Sequence, residues 1–246
     1  IRILALLQVV NFDLLISMEN STPDILSEKL LLAVKMDQPT FPFIQKLREL
    51  PFSELTSNLE KDDQKKAFWI NIYNAFFQIL RKIERLDKPE IFRKKAIEIS
   101  GHFFSLDDIE HGILRKYRWK FSLGYLPNIF APKLIKGLAV SKIDYRIHFA
   151  LNCGAKSCPP IAFYSANKLN QQLNMATQSF LEGETDVFPS KKEVHVSRLF
   201  QWFRADFGGP TGIRRILKTQ IQLETSGLKI VYKPYSWEEV LDNYAG

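Results

Sequence analysis

The stretch RIHFALNCGAKSCPP, residues 146 to 160, carries His148 and both cysteines of the chain, Cys153 and Cys158. A strand end that runs into a glycine turn is a common seat for a reactive side chain. Gly154 permits close approach of backbone or substrate there. Three chemistries fit these residue types. Cys153 is a candidate nucleophile, with His148 or His111 as base and Lys156, Arg146 or an imidazole favouring the thiolate. Cys153, Cys158 and one or two histidines are candidate zinc ligands, although a lone Cys-x4-Cys pair departs from the usual tetrahedral sites. The two cysteines are also near enough in sequence for a disulfide. A buried thiol in a packed turn is the reading without chemistry, and the residues alone leave all of these open.

A second cluster lies in SLDDIEHGILRKY, from Ser105. Winding it at the helical period puts Leu106, Ile109, Ile113 and Tyr117 on one arc, with Glu110 inside that arc. A carboxylate so placed is either paired with a buried base or engaged in proton transfer. His111 falls above Asp107 and below Arg115, so Glu110 and His111 are expected to point apart. A third cluster is the helix AFWINIYNAFFQIL, apolar on nearly every side, with Asn71, Asn74 and Gln78 as a polar stripe. Those amides either tie down loop backbone or face a cleft. In the second case Asn71, Asn74 and Trp69, together with Asn152 and Gly154, contact substrate. His102 and His195 read as turn and surface residues.

The elements that must position these groups are mostly helical. Thr22-Pro23 opens a helix, two short helices follow around Pro42 and Pro51, and a long one runs from about 62 to 86. Ser105 and Asp108 form a capping-box-like pair that starts the next helix. Strands are expected at 145–151, 193–197 and 228–233, with helices near 165–181, 198–209 and 210–219 and an irregular segment from 121 to 142. The fold class is therefore α+β: a helix-rich single domain around a small β-sheet. Residues 1–60 form an N-terminal helical accessory segment, its opening read as an amphipathic helix, and residues 61–246 the main domain.

Composition sets the outer limits. The 246 residues are 46% hydrophobic and 25% charged, ordinary for a globular chain, with a net charge of +7. That charge is spread among acids, as in RKIERLDKPEIFRKKAIE, and no ribonucleoprotein motif or zinc-finger spacing accompanies it. No nucleic-acid partner is expected. No apolar run reaches the roughly 18 to 20 residues of a spanning helix, and a cytoplasmic location is favoured over export.

Several blocks in one order resemble a known family: AFWINIYNAF, FSLDDIEHGILR, YRIHFALNCGAKSCPPI, VHVSRLFQWFRADFGG and KIVYKPYSW. They look like successive blocks of the domain of unknown function 547 family, over roughly residues 60 to 240. The resemblance matches Trp69, Asn71, Tyr73 and Asn74 in the first block and Glu110 and His111 in the second. In the third it matches His148, Cys153, Gly154, Ser157 and Pro159. It implies occurrence in bacteria and plants, no assigned activity, and a distant likeness to papain-like or transglutaminase-like folds. The order of Cys, His and acid here is not the usual one for those folds. The position of Cys158 is often Ser in the plant-like version, which counts against a disulfide and a two-cysteine zinc site. The last block usually reads Tyr-Asp-Trp, whereas here it is Tyr235-Ser236-Trp237.

The resulting expectation is a cysteine-dependent hydrolase or acyl-transfer enzyme for a small-molecule or peptide amide or ester, with no cofactor and no metal. Cys153 attacks, His111 or His148 moves the proton, and Glu110 orients the imidazole. Asn71, Asn74 or N–H groups near Gly154 stabilise the oxyanion, a contribution of about 3–4 kcal/mol where it has been measured. The alternatives are a non-catalytic binding or scaffold domain with a buried polar network, and a zinc-binding enzyme.

Overall fold

The computed structural model describes residues 21–245. The expected amphipathic helix at the start of the chain lies outside them. Four helices come first: α1 Pro23–Lys35, α2 Phe41–Glu49, α3 Phe52–Asn58 and α4 Asp62–Lys82. In α4 every residue from Lys66 to Leu80 is buried, as a helix apolar on all sides requires. Asp62 and Asp63 stand in its first turn and Arg81 and Lys82 in its last, each matching the helix dipole. Leu30 and Leu31 of α1, Leu47 of α2 and Leu55 of α3 are fully buried in the same hydrophobic cluster as α4. The helices before residue 60 thus share the main core.

Five short strands follow. β1 Ile97–Ile99 and β2 His102–Phe104 form an antiparallel hairpin, with Ile97 opposite Phe104. Its two-residue turn, Ser100-Gly101, takes positive φ at both positions, the arrangement that suits strand twist. β3 Asp186–Phe188 runs antiparallel to β4 Glu193–Val196, which pairs in parallel with β5 Lys229–Tyr232. β4 and β5 fall where expected; the hairpin β1–β2 and strand β3 are additional.

Five further helices complete the fold: α5 Glu90–Arg93, α6 Lys133–Leu138, α7 Leu169–Glu184, α8 Leu199–Trp202 and α9 Gly209–Ile221. α8 and α9 lie in the crossover between the parallel strands β4 and β5, a connection that needs such length. Phe149, Phe180, Phe200 and Phe207 pack into a second cluster with Val194 and Val196 of β4. The chain is a helix-rich α+β domain with small sheets.

At the site two local structures depart from expectation; elsewhere α6 lies in the segment expected to be irregular, and the helix expected over 198–209 is only the four residues of α8. Residues Tyr145–Phe149 form a 3-10 helix, not a strand. The Asp144 side chain accepts from Arg146 N at 3.1 Å, and Ile147 N donates to Asp144 O at 3.2 Å. That local cap outcompetes sheet pairing. Residues Asp108–Leu114 form a π-helix. Its start is the expected box, since Ser105 N donates to Asp108 Oδ2 at 2.9 Å and Asp108 N to Ser105 Oγ at 3.0 Å.

The segment after β5 is stitched along the cysteine loop. Lys156 N donates to Glu238 O at 2.8 Å, Val240 N to Gly154 O at 3.0 Å, and Ile161 N to Asn243 O at 2.7 Å.

Candidate active site

The π-helix, the 3-10 helix, the cysteine loop, α8 and the final segment enclose a cleft of about 200 Å³. Glu110, His111, His148 and Cys153 all line it, beside Tyr73, Trp202, Phe203, Tyr235 and Trp237. Its walls are largely aromatic and its floor is charged.

The floor is organised by an ion pair. Arg115 Nε donates to Asp206 Oδ2 at 2.6 Å, and both side chains are fully buried. Burial alone would raise the Asp206 pKa; the hydrogen bond and charge of His148 and the Arg115 guanidinium outweigh it and hold the carboxyl below its ordinary value. His148 Nε2 lies 2.9 Å from the same oxygen. An ionised carboxylate only accepts, so Nε2 carries the proton and Nδ1 keeps the lone pair in the neutral ring. Burial moves the His148 pKa down despite Asp206, and the ring stacks on Phe203 at 3.9 Å.

His111 is set the other way. Its Nδ1 lies 2.8 Å from Arg115 Nη1, which can only donate, so Nδ1 accepts and Nε2 carries the proton, 3.6 Å from Asp107 Oδ1. Burial, then the charges of Arg115 and Lys120, push its pKa well below the ordinary imidazole value. Glu110 completes the group. Its Oε2 accepts from Tyr73 Oη at 3.3 Å, and its Oε1 is 3.7 Å from His111 Nδ1. Burial raises the Glu110 pKa to about 7, with Arg115 opposing and Asp107 adding to the rise. A carboxyl poised there can both take and give a proton near neutrality.

Cys153 and Cys158 are joined in a disulfide. Tyr235 Oη reaches both sulfurs, at 3.4 Å from Cys153 Sγ and 3.1 Å from Cys158 Sγ. Cys153 N also donates to Cys158 Sγ at 3.0 Å. Gly154 takes φ +67 and faces Phe77, whose ring would sit 2.5 Å from an added Cβ. The glycine is required by that aromatic contact. Among the described residues, no group of three or more His, Cys, Asp and Glu could hold a metal ion.

A family model described as "Protein of unknown function, DUF547" matches residues 56–181. The chain belongs to the DUF547 family. No curated protein and no solved structure matches it.

In this DUF547 chain the residues singled out by sequence divide into two sets. Glu110, His111, His148 and Cys153 meet at the cleft. Asn71, Asn74, Asn152, Trp69 and Gly154 do not line it. Asn71 exchanges two hydrogen bonds with the backbone of Tyr164, at 2.7 and 3.0 Å. Asn74 binds Ala150 O and Asn152 N, each at 2.9 Å. Asn152 holds Pro159 O at 2.7 Å and Gly154 N at 2.8 Å. Trp69 is fully buried against Phe68 and Phe104. Asn74 and Asn152 fasten the loop that carries Cys153, Asn71 fastens the backbone at Tyr164, and Gln78 of the same stripe has no hydrogen-bond partner among the described residues.

The expectation that Glu110 and His111 point apart is corrected by the wider turn of the π-helix, which brings these successive side chains together. The expected positions of His111 relative to Asp107 and Arg115 hold, at 3.6 and 2.8 Å. The pairing of Arg115 with Asp206 beside the cleft has no signature in the sequence, because it spans 91 positions and has no local motif.

Proposed function

We propose that this chain hydrolyses an amide or ester, or transfers its acyl group, with Cys153 as nucleophile in the reduced state. The reading rests on one observation above all: side chains from two separate stretches, Glu110 with His111 and His148 with Cys153, line one cleft. Because Cys153 is paired with Cys158, the enzyme first requires a dithiol reductant. The reductant supplies two electrons and two protons, the S–S bond breaks, two thiols form, and the reductant closes to its own disulfide.

His148 is the base best suited to the thiol, since Asp206 fixes its tautomer and leaves Nδ1 able to accept. Asp206 takes the orienting role that the sequence assigned to Glu110. Attack forms the C–S bond and moves the carbonyl π pair onto oxygen. The Nε2–H of the neutral His111 is a donor suited to that oxyanion. Collapse breaks the C–N or C–O bond and expels the amine or alcohol with a proton from Glu110. Water then cleaves the thioester, its oxygen going to the acid and a proton to the thiol, and the proton that His148 took from Cys153 passes to Glu110.

The test is alkylation by iodoacetamide after reduction, read for each cysteine by peptide mass spectrometry. Cys153 should label at least about tenfold faster than Cys158 near pH 6.5, with a midpoint below the ordinary thiol value of about 8.5. His148→Ala should remove the difference. Equal rates with ordinary midpoints for both cysteines would end the nucleophile reading. In that case a binding cleft without covalent chemistry stands, a reading favoured by the disulfide and by the Tyr235 hydroxyl as the partner of both sulfurs.

A further inference from the structure

The segment between the π-helix and α6 carries large apolar side chains on the outside of the molecule. Phe130 is 83% exposed, Phe121 76% and Ile129 68%, with Trp119, Tyr125 and Leu126 also exposed. Single exposed hydrophobics are common, but seven within twelve residues, Leu123 included, form a patch of the kind that marks an interaction surface. The loop is fastened in this pose. Trp119 N donates to Leu126 O at 2.9 Å, Asn128 N to Tyr117 O at 2.6 Å, and Ala205 N to Leu123 O at 3.0 Å. Gly124, at φ +85, packs directly on the Arg115–Asp206 pair, so the inner side of the loop is anchored to the floor of the cleft. Its tips have no interior to turn into.

The charge of the same stretch is one-sided. Between Glu110 and Asp144 there is no acidic residue, whereas Lys116, Arg118, Lys120, Lys133, Lys136 and Lys142 join the buried Arg115. Lys120 pairs with Asp107. Lys116 and Lys136 donate to the backbone carbonyls of Ser141 and Ile129 and leave their charge without a carboxylate partner there. The bordering acids are Asp107, Asp108, which is bound to Ser105 and 3.5 Å from Lys95, and Glu60 and Asp62, which line a hollow with Lys116 and Lys136, Asp62 accepting from the backbone of Ser141 and Lys142.

We infer that residues 119–136 are a membrane-surface anchor that docks the protein on anionic bilayers. Aromatic and aliphatic tips enter the headgroup boundary, while the flanking lysines meet the lipid phosphates. The protruding Ile129 and Phe130 distinguish this from nucleic-acid binding, where flat stacking platforms in a basic groove carry the contact. No helix among the described residues is long and apolar enough to cross a membrane, so attachment through this loop is peripheral. The groove under the loop, lined by Tyr117, Trp119 and Phe121, also touches Asp107 and His111 of the cleft. Docking therefore brings the cleft close to the lipid surface, although the inference stands whatever the cleft does.

The full chain is sedimented with vesicles of phosphatidylcholine alone, or with about one third phosphatidylglycerol, at low salt and at about 0.5 M NaCl. The bound fraction should rise at least about tenfold with anionic lipid and fall back in high salt. F121S/F130S should lose binding to anionic vesicles about tenfold with an unchanged melting temperature, since both side chains lie outside the core. K133E/K136E tests charge separately and should abolish the anionic preference. Absence of vesicle binding overturns the inference, as does equal binding to neutral vesicles or unchanged binding by both variants. Salt-sensitive binding to RNA in place of vesicles, or self-association lost in F121S/F130S, would assign the patch to another partner and overturn it equally.

Discussion

Two polar regions lie within this helical core and behave oppositely. Along α4, Asn71 and Asn74 are buried amides whose hydrogen bonds close on backbone at Tyr164, Ala150 and Asn152. A few ångströms of fold away, Glu110, His111, Arg115, His148 and Asp206 share oxygen and nitrogen atoms in a chain that opens on the cleft. Both asparagine amides are neutral and bonded at their oxygen and their nitrogen, while Gln78, one turn further along the stripe, is buried with no hydrogen-bond partner at either atom among the described residues. The second group is ionisable, shifted and unevenly satisfied: Arg115 Nη2 and Asp206 Oδ1 are buried without hydrogen-bond partners among the described residues. Saturated amides hold a loop in place, whereas a shifted acid beside an open space can exchange protons.

The sharpest test of this contrast is Asp206→Ala. It strips the carboxylate from a fully buried guanidinium, and stability should fall by about 3–5 kcal/mol in urea denaturation. A loss under about 1 kcal/mol would mean that Arg115 reaches solvent and that the charged floor does not hold the site together. Asn74→Ala comes next. It leaves Ala150 O and Asn152 N unpaired and should cost about 3 kcal/mol. The folded protein should nevertheless keep the Cys153-to-Cys158 labelling ratio within about twofold; a collapse of that ratio would erase the distinction between the two regions.

Glu110→Gln probes the ionisable side. The Glu110 pKa is raised to about 7 from 4.5, so the folded state holds the proton more tightly than the unfolded chain. Its contribution is complete below about pH 4.5 and is lost as pH rises through about 7. The glutamine variant should therefore be more stable than the parent at about pH 8, by about 3 kcal/mol, and show a flatter stability profile between those limits. An unchanged profile would place Glu110 among the ordinary carboxylates. The smallest effect is expected for Tyr235→Phe, which removes one hydroxyl from the two sulfurs and should cost about 1 kcal/mol in the oxidised protein.

What the sequence disclosed follows the range of the interactions concerned. The Ser105–Asp108 box, the buried α4 and the closeness of His111 to Asp107 and Arg115 are all set by spacings of a few residues, and each was legible. The anomaly of Glu110 on an apolar arc was legible for the same reason. Tyr145 to Leu151 alternates as a strand does, yet a single side chain, Asp144, redirects it into a 3-10 turn. The π-helix leaves no mark in the apolar pattern, and without it Glu110 and His111 cannot be seen to meet. Asp206 is the clearest case of what could not be read. It stands in RADFGG with nothing nearby to name its partners, which come from 58 and 91 positions earlier.

The reach of Asp206 bears on how the protein can be cut. The family match closes at residue 181, whereas the carboxylate beneath both His148 and Arg115 lies past that limit, as do Phe203, Tyr235 and Trp237. A recombinant fragment trimmed to the matched window would carry Glu110, His111, His148 and Cys153, yet leave a guanidinium stranded in oil and one face of the cleft missing. Altered labelling of Cys153 in such a fragment would reflect the cut rather than the chemistry.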